Sequence, residues 1–191
     1  MKLFAFLFLF IIPSFNFDYK KNILSYSIVI SKADLIVEGS VTKIIKGKYE
    51  FTINEYIKGK STPKIYVTIW DEWTCDRRIE KLKVGQKLIL FLEKSKTEYS
   101  VINQSTGELF VKKDNTVSTF MLLKFPKAPV LKKGISMFLE TYSCYGDLND
   151  RFLQNMYFQK KKSSTEINKM KKENDFFKYL SEEELKYYTV K

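Results

Sequence analysis

The feature that most constrains the fold is a period of two. Leu35, Val37, Gly39 and Val41 alternate with Ile36, Glu38, Ser40 and Thr42; Tyr49, Phe51 and Ile53 alternate with Glu50, Thr52 and Asn54; Ile65, Val67 and Ile69 alternate with Tyr66, Thr68 and Trp70. Successive side chains of a strand point to opposite faces, so each run offers one face to a core and one to its surroundings. Turn chemistry separates the runs, first Lys46-Gly47-Lys48 and then Lys58-Gly59-Lys60-Ser61-Thr62-Pro63. Val84-Gly85-Gln86 turns into an unbroken apolar run, 88–92, which reads as a fully buried strand. Tyr99, Val101 and Asn103 continue the meander. Thr106-Gly107 turns once more, and 109–111 is expected to return as an edge strand. Gly39 in mid-strand is a cost in a flat sheet, but it is the expected device where a strand bends round a small barrel. Five to six strands with one long polar loop, 71–83, between the third and fourth predict a closed Greek-key barrel of the OB type.

Helical spacing flanks this block. Tyr26, Val29, Ile30 and Ala33 share one face of a short helix, with Ser25 as its expected cap. After Lys113 the texture changes. Pro126 and Pro129 mark a boundary, and Leu131, Ile135, Phe138, Tyr142 and Tyr145 then follow a helical stripe that stops at Gly146. A second helix is expected from Asp147 or Asn149 through Phe152, Met156 and Tyr157. The charged break Lys160-Lys161-Lys162-Ser163-Ser164 precedes a third, carrying Ile167, Met170 and Phe177. Ser181-Glu182-Glu183-Glu184 reads as a capping box opening a last short one. The predicted class is mainly β with an α extension: an OB-like barrel over 17–112 and a helical C-terminal extension over 113–191.

Residues 1–16 read as an address. Lys2 is followed by an apolar run, 3–12, and then by Pro13 and Ser14, the pattern of a secretory signal peptide. The run is too short for a membrane-spanning helix, which needs about 20 residues, and no later segment suits one. The mature protein is therefore expected to be exported: secreted, periplasmic or on the cell surface. An oxidising destination makes Cys75 and Cys144, the only two cysteines, natural disulfide partners. Closing so long a loop stabilises by roughly 4 kcal/mol on chain-entropy reasoning; two buried free thiols are the competing reading.

Composition excludes several chemistries. With no histidine, Ser-His-Asp and Cys-His triads, HExxH zinc sites and Cys/His zinc fingers are impossible. The net charge of +11 comes almost wholly from lysine, the arginines being Arg77, Arg78 and Arg151. Lysine-rich helices read as solvated faces rather than as a nucleic-acid surface, which favours arginine for bidentate contacts.

The block 33–103 resembles the bacterial relatives of the tissue inhibitors of metalloproteinases, the netrin-like OB-fold modules. Ala33-Asp34-Leu35-Ile36-Val37-Glu38-Gly39-Ser40-Val41 stands for the first strand and Phe51-Thr52-Ile53-Asn54-Glu55-Tyr56-Ile57-Lys58-Gly59 for the second. Cys75 follows the third strand, and Val84-Gly85-Gln86-Lys87-Leu88-Ile89-Leu90-Phe91 forms the turn and fourth strand. The resemblance implies an extracellular OB barrel. Inhibition in that family acts through an N-terminal Cys-x-Cys that chelates the protease zinc. Here no cysteine precedes Cys75, so that role has no residue to rest on. The family's fifth-strand cysteine is also missing, with Asn103 or Gln104 near its place, and this leaves Cys144 as the only partner for Cys75.

The expected function is that of an exported, non-enzymatic module that binds a protein or a surface component, with no cofactor and no metal. Alternatives are a polyanion or single-stranded nucleic-acid binder, although nucleic acid is disfavoured, and a secreted protease inhibitor with a non-standard N-terminus. Trp70, Trp73, Arg77 and Arg78 form the one aromatic–arginine cluster and are the candidate binding patch, since OB barrels bind across a face with stacking aromatics and cations. The competing reading has the tryptophans covering the barrel end and the arginines pairing with Asp71, Glu72, Asp76 or Glu80. Glu38, Glu50 and Glu55 read as outward-facing strand residues.

Overall fold

The computed structural model describes residues 24–120, 124–147, 150, 153 and 155–191; the expected signal segment lies outside them. The first strand, β1 (Leu35–Ile45), pairs along one edge with β2 (Lys48–Lys58) and along the other with β4 (Lys87–Ser95). β2 pairs with β3 (Lys64–Thr68), and β3 runs parallel to β5 (Glu98–Val101), with Val67 opposite Tyr99. β5 returns to β4. The order β1-β2-β3-β5-β4 with β1 on β4 closes a mixed five-stranded barrel, as the period-two pattern predicts. Gly39 makes the closure sterically feasible. A Cβ there would stand 2.2 Å from the Thr52 carbonyl oxygen and 2.7 Å from Phe51. The register of β1 on β2 slips between Glu38 and Gly39, the bulge that lets the strand bend.

The stretch after β5 departs from the expected meander. β6 (Glu108–Val111) does not return as a separate edge; it continues along β4 in the direction of β5. Leu92 faces Val101, Leu90 faces Glu108 and Leu88 faces Phe110. The Ile102 amide donates to the Phe91 carbonyl at 3.0 Å, and the Phe91 amide donates to the Gly107 carbonyl at 2.9 Å. Residues 103–106 are thus extruded opposite a single residue of β4. Asn103 and Gln104 take φ values of 53° and 54° to do so. Thr106-Gly107 ends a bulge rather than reversing the chain. β7 (Val117–Ser118) pairs on the outer edge of β6.

Two cores result. Val37, Val41, Tyr49, Phe51, Val67, Leu88 and Leu90 fill the barrel. A second core lies outside it, where Ile36, Ile89 and Phe91 meet α1 (Tyr26–Lys32), α2 (Ala128–Thr141) and α4 (Asp175–Tyr179). The run 88–92 is apolar throughout because β4 is buried on both faces. A side chain such as Phe91, fully buried, contributes about 1.5–3 kcal/mol.

Seven-residue α1 is too short to hold itself, and distant side chains hold both its ends. Ser25 precedes it but its side chain does not cap it. The Glu184 carboxylate accepts the Tyr26 amide at 3.0 Å and the Ser27 amide at 2.5 Å. At the other end the Lys58 ammonium donates to the carbonyls of Ile30, at 3.0 Å, and Ser31, at 2.9 Å. An anion thus sits at the positive end of the helix and a cation at the negative end. Burial pushes the Glu184 carboxyl up, against the pull of those amides, and pushes Lys58 down.

The C-terminal region is less helical than its spacing suggests. Pro129 lies inside the first turn of α2, where a missing N–H costs nothing. α2 stops at Thr141, and Tyr142–Tyr145 forms β8, paired with β9 (Tyr157–Lys160). The expected helix to Tyr145 gives way to this hairpin, in which Tyr145 and Tyr157 stack at 5.3 Å. Of the helix expected to follow Gly146, Asn149 and Phe152 lie outside the described residues and Tyr157 opens β9. The capping box belongs to Ser163 and Glu166, opening α3 (Ser164–Glu173): the Glu166 amide donates to Ser163 Oγ and the Ser163 amide to the Glu166 carboxylate. Ser181 instead continues helical backbone in a π-turn, Leu180–Glu184, where no free helix start needs a cap. A 3-10 turn, Leu185–Tyr187, leads to β10 (Thr189–Val190), which runs parallel to β9. Among the described residues no helix is long and apolar enough to cross a membrane.

Candidate functional site at the loop end of the barrel

The long loop between β3 and β4 carries all four residues of the expected patch, and the structure divides them. Trp70 and Arg78 turn inward; Trp73 and Arg77 stay at the surface. The Arg78 guanidinium lies 3.9 Å from the centroid of the Trp70 ring. Its Nε donates to Glu108 Oε1 at 2.7 Å and its Nη1 to the Trp70 carbonyl at 3.1 Å. Trp70 Nε1 donates to the other oxygen of Glu108 at 3.1 Å, and the Tyr49 hydroxyl approaches that oxygen at 3.4 Å from inside the barrel. Glu72, half in water, accepts from the Arg78 amide at 2.9 Å and from Nη1 at 3.2 Å. The side chain of Glu108 is wholly buried and that of Arg78 is 3% exposed. Burial pushes the Glu108 carboxyl up, opposed by Arg78, Trp70 and Tyr49. Both carboxylate oxygens are engaged, so the cluster plugs and orients the barrel end.

Glu108 was missed by sequence reading, which paired the arginines within their own loop; Glu72 was among those partners and Glu108 was not. The signal that pointed to it was its place directly after Gly107, at the head of an otherwise apolar strand.

Outside the plug the loop makes a tight turn. The amides and carbonyls of Trp73 and Asp76 exchange two hydrogen bonds of 3.0 Å, leaving Cys75 exposed at the tip. The turn is fastened to the bulge 103–106: Trp73 Nε1 reaches Gln104 Oε1 at 3.4 Å and the Ser105 amide donates to the Asp76 carboxylate at 3.3 Å. The Arg77 guanidinium lies 5.7 Å from the Phe120 ring, and Ile79 beside it is 40% exposed.

The expected Cys75–Cys144 disulfide is not made; both thiols are free. The two cysteines belong to different neighbourhoods. Cys75 rides on the turn anchored to the bulge, whereas Cys144 is half-buried in β8 beside the Ser31 hydroxyl and Lys58 at the far end of α1. Burial pushes the Cys144 thiol up.

Of the strand carboxylates, Glu38 and Glu55 are cross-strand partners, and both receive the Lys132 ammonium from α2, with Lys87 closing on Glu38. Burial alone raises Glu38, but the two ammoniums hold it below the ordinary carboxylate range. This cluster ties α2 to the barrel. Glu50 accepts from Thr42 at 2.8 Å on the outer face.

No known protein family and no curated protein matches the chain. The barrel is compatible with an OB-like fold on its topology alone.

Proposed function

We propose that the protein is an exported, non-enzymatic OB-type module, of the netrin-like kind, that binds another protein through the loop end of its barrel. The observation that carries this reading is the fastened turn that presents Trp73 and Arg77 at the surface, with the Phe120 ring 5.7 Å from the Arg77 guanidinium. The turn beneath them is bonded to the bulge 103–106, and its base is the buried Arg78–Glu108 pair. Tryptophan and arginine are the residue types that most often dominate binding energy at protein interfaces, above all when presented on a rigid support.

The test is affinity capture from the exported fraction with the wild-type protein and the variant Trp73→Ala/Arg77→Glu as paired baits. The expected result is a partner retained by the wild type and lost by the variant. Equal recovery by both baits would move the interface elsewhere. Retention on heparin or single-stranded DNA that falls steeply with added salt would replace the reading by polyanion binding.

A further inference from the structure

A cleft of about 330 Å³ lies between one face of α3 and the C-terminal hook that runs from the π-turn to β10, and no residue of the barrel loops lines it. Its floor is apolar: Ile167 and Leu185 are buried there, and Val190 and Tyr142 flank them. Its rim is basic. Lys160, Lys171 and Lys186 line it against a single carboxylate, Glu182, with the neutral polar side chains of Ser164 and Asn168 between. Lys171 shares Glu182 at 3.3 Å, and Lys186 pairs outside the cleft with Glu183 at 2.6 Å. The Lys160 ammonium meets no carboxylate among the described residues. One wall is the π-turn, a rare helix form concentrated at functional sites. Ligand pockets characteristically combine an apolar lining with a few convergent polar groups.

We infer that this cleft is a binding site for a small amphiphilic anion: a molecule with one phosphate or carboxylate group on an apolar ring or short chain. The anionic group sits between Lys160 and Lys171, displacing Glu182 as the partner of Lys171. The apolar body covers Ile167 and Leu185. Charge alone does not suffice, because the ammoniums stand at an open rim, where ion pairs contribute at most about 1 kcal/mol. The floor alone does not select an anion. The two together do.

The test is a titration of the whole protein, followed by backbone amide NMR and calorimetry, with phenyl phosphate, inorganic phosphate and phenol as separate probes. Phenyl phosphate is expected to bind at least tenfold more tightly than either of the others, to weaken as salt is added, and to shift the amides of Ser164, Asn168 and Leu185. Lys160→Gln and Lys171→Gln, both outside the cores, are each expected to weaken it at least fivefold, while Lys133→Gln on α2 leaves it unchanged. The inference is overturned if phenyl phosphate binds no better than inorganic phosphate, if its shifts map elsewhere, or if the two rim variants bind as the wild type does.

Discussion

Replacing Arg78 by methionine isolates the energetics of the barrel plug. Methionine fills much of the arginine stem's volume but leaves Glu108 buried without its counter-charge, still facing Trp70 Nε1 and the Tyr49 hydroxyl. Removing one partner of a buried ion pair costs about 3–5 kcal/mol, a large share of the roughly 5–15 kcal/mol that holds a domain folded. Glu108→Gln is milder, because an amide oxygen still accepts from Trp70 and Arg78 keeps Glu72 and the Trp70 carbonyl; about 1–3 kcal/mol is expected. In the double variant neither charge is stranded, so its loss falls short of the sum of the two singles by at least about 1 kcal/mol. The pH dependence has a definite sign. The folded-state pKa of Glu108 lies above its unfolded value, so between the two values the folded chain binds more protons than the unfolded one, and the stabilisation this gives is complete below the unfolded pKa and lost as pH rises through the folded one. Without Arg78 the folded value climbs further. The Arg78→Met penalty should therefore be larger at pH 8 than at pH 5. Urea unfolding followed by tryptophan fluorescence at both pH values measures it. A loss below about 1 kcal/mol at pH 8, or one equal at the two pH values, refutes the reasoning.

Two other sites give simpler expectations. Glu184→Gln should cost about 1–2 kcal/mol, since the amide accepts from only one of the two helix-start amides and carries no charge for the dipole. Hydrogen exchange should then accelerate roughly tenfold in α1 and leave β1 and β4 unchanged, while acceleration spread evenly over the barrel would contradict the local-clamp account. Both cysteines should alkylate in the native protein, exposed Cys75 at least tenfold faster than half-buried Cys144 with its raised pKa. A non-reducing peptide map that recovers them linked would overturn the free-thiol arrangement.

The barrel was legible because its information is local. Period two over β1, β2 and β3, the turn at Gly47 and the bend at Gly39 are all written within a few residues of where they act. What escaped depends on partners distant in sequence. Tyr142 and Tyr145 fit a helical stripe as well as a strand, and only pairing with 157–160 decides between them. The bulge after Val101 resembles a turn until Phe91 is seen to bond on both sides of it. The candidate patch was half legible. Its residues do gather at one end of the barrel, but Arg78 is consumed by Glu108, thirty positions away. The capping box at Ser163 was hidden by the lysines preceding it, and a look-alike at Ser181 drew the assignment instead.

The clamp on α1 also sets a clock. Tyr26 and the carboxylate that caps it are separated by 158 positions. At about 5–20 residues per second of synthesis, the helix start waits roughly 8 to 30 seconds for its cap to be made. The barrel strands, complete by Val111, are finished well before that. Helix α1 is therefore among the last pieces to settle, and until then its share of the outer core around Ile36, Ile89 and Phe91 is incomplete. A nascent chain stalled before Glu184 should show a protease-resistant barrel with a cleavable N-terminal stretch.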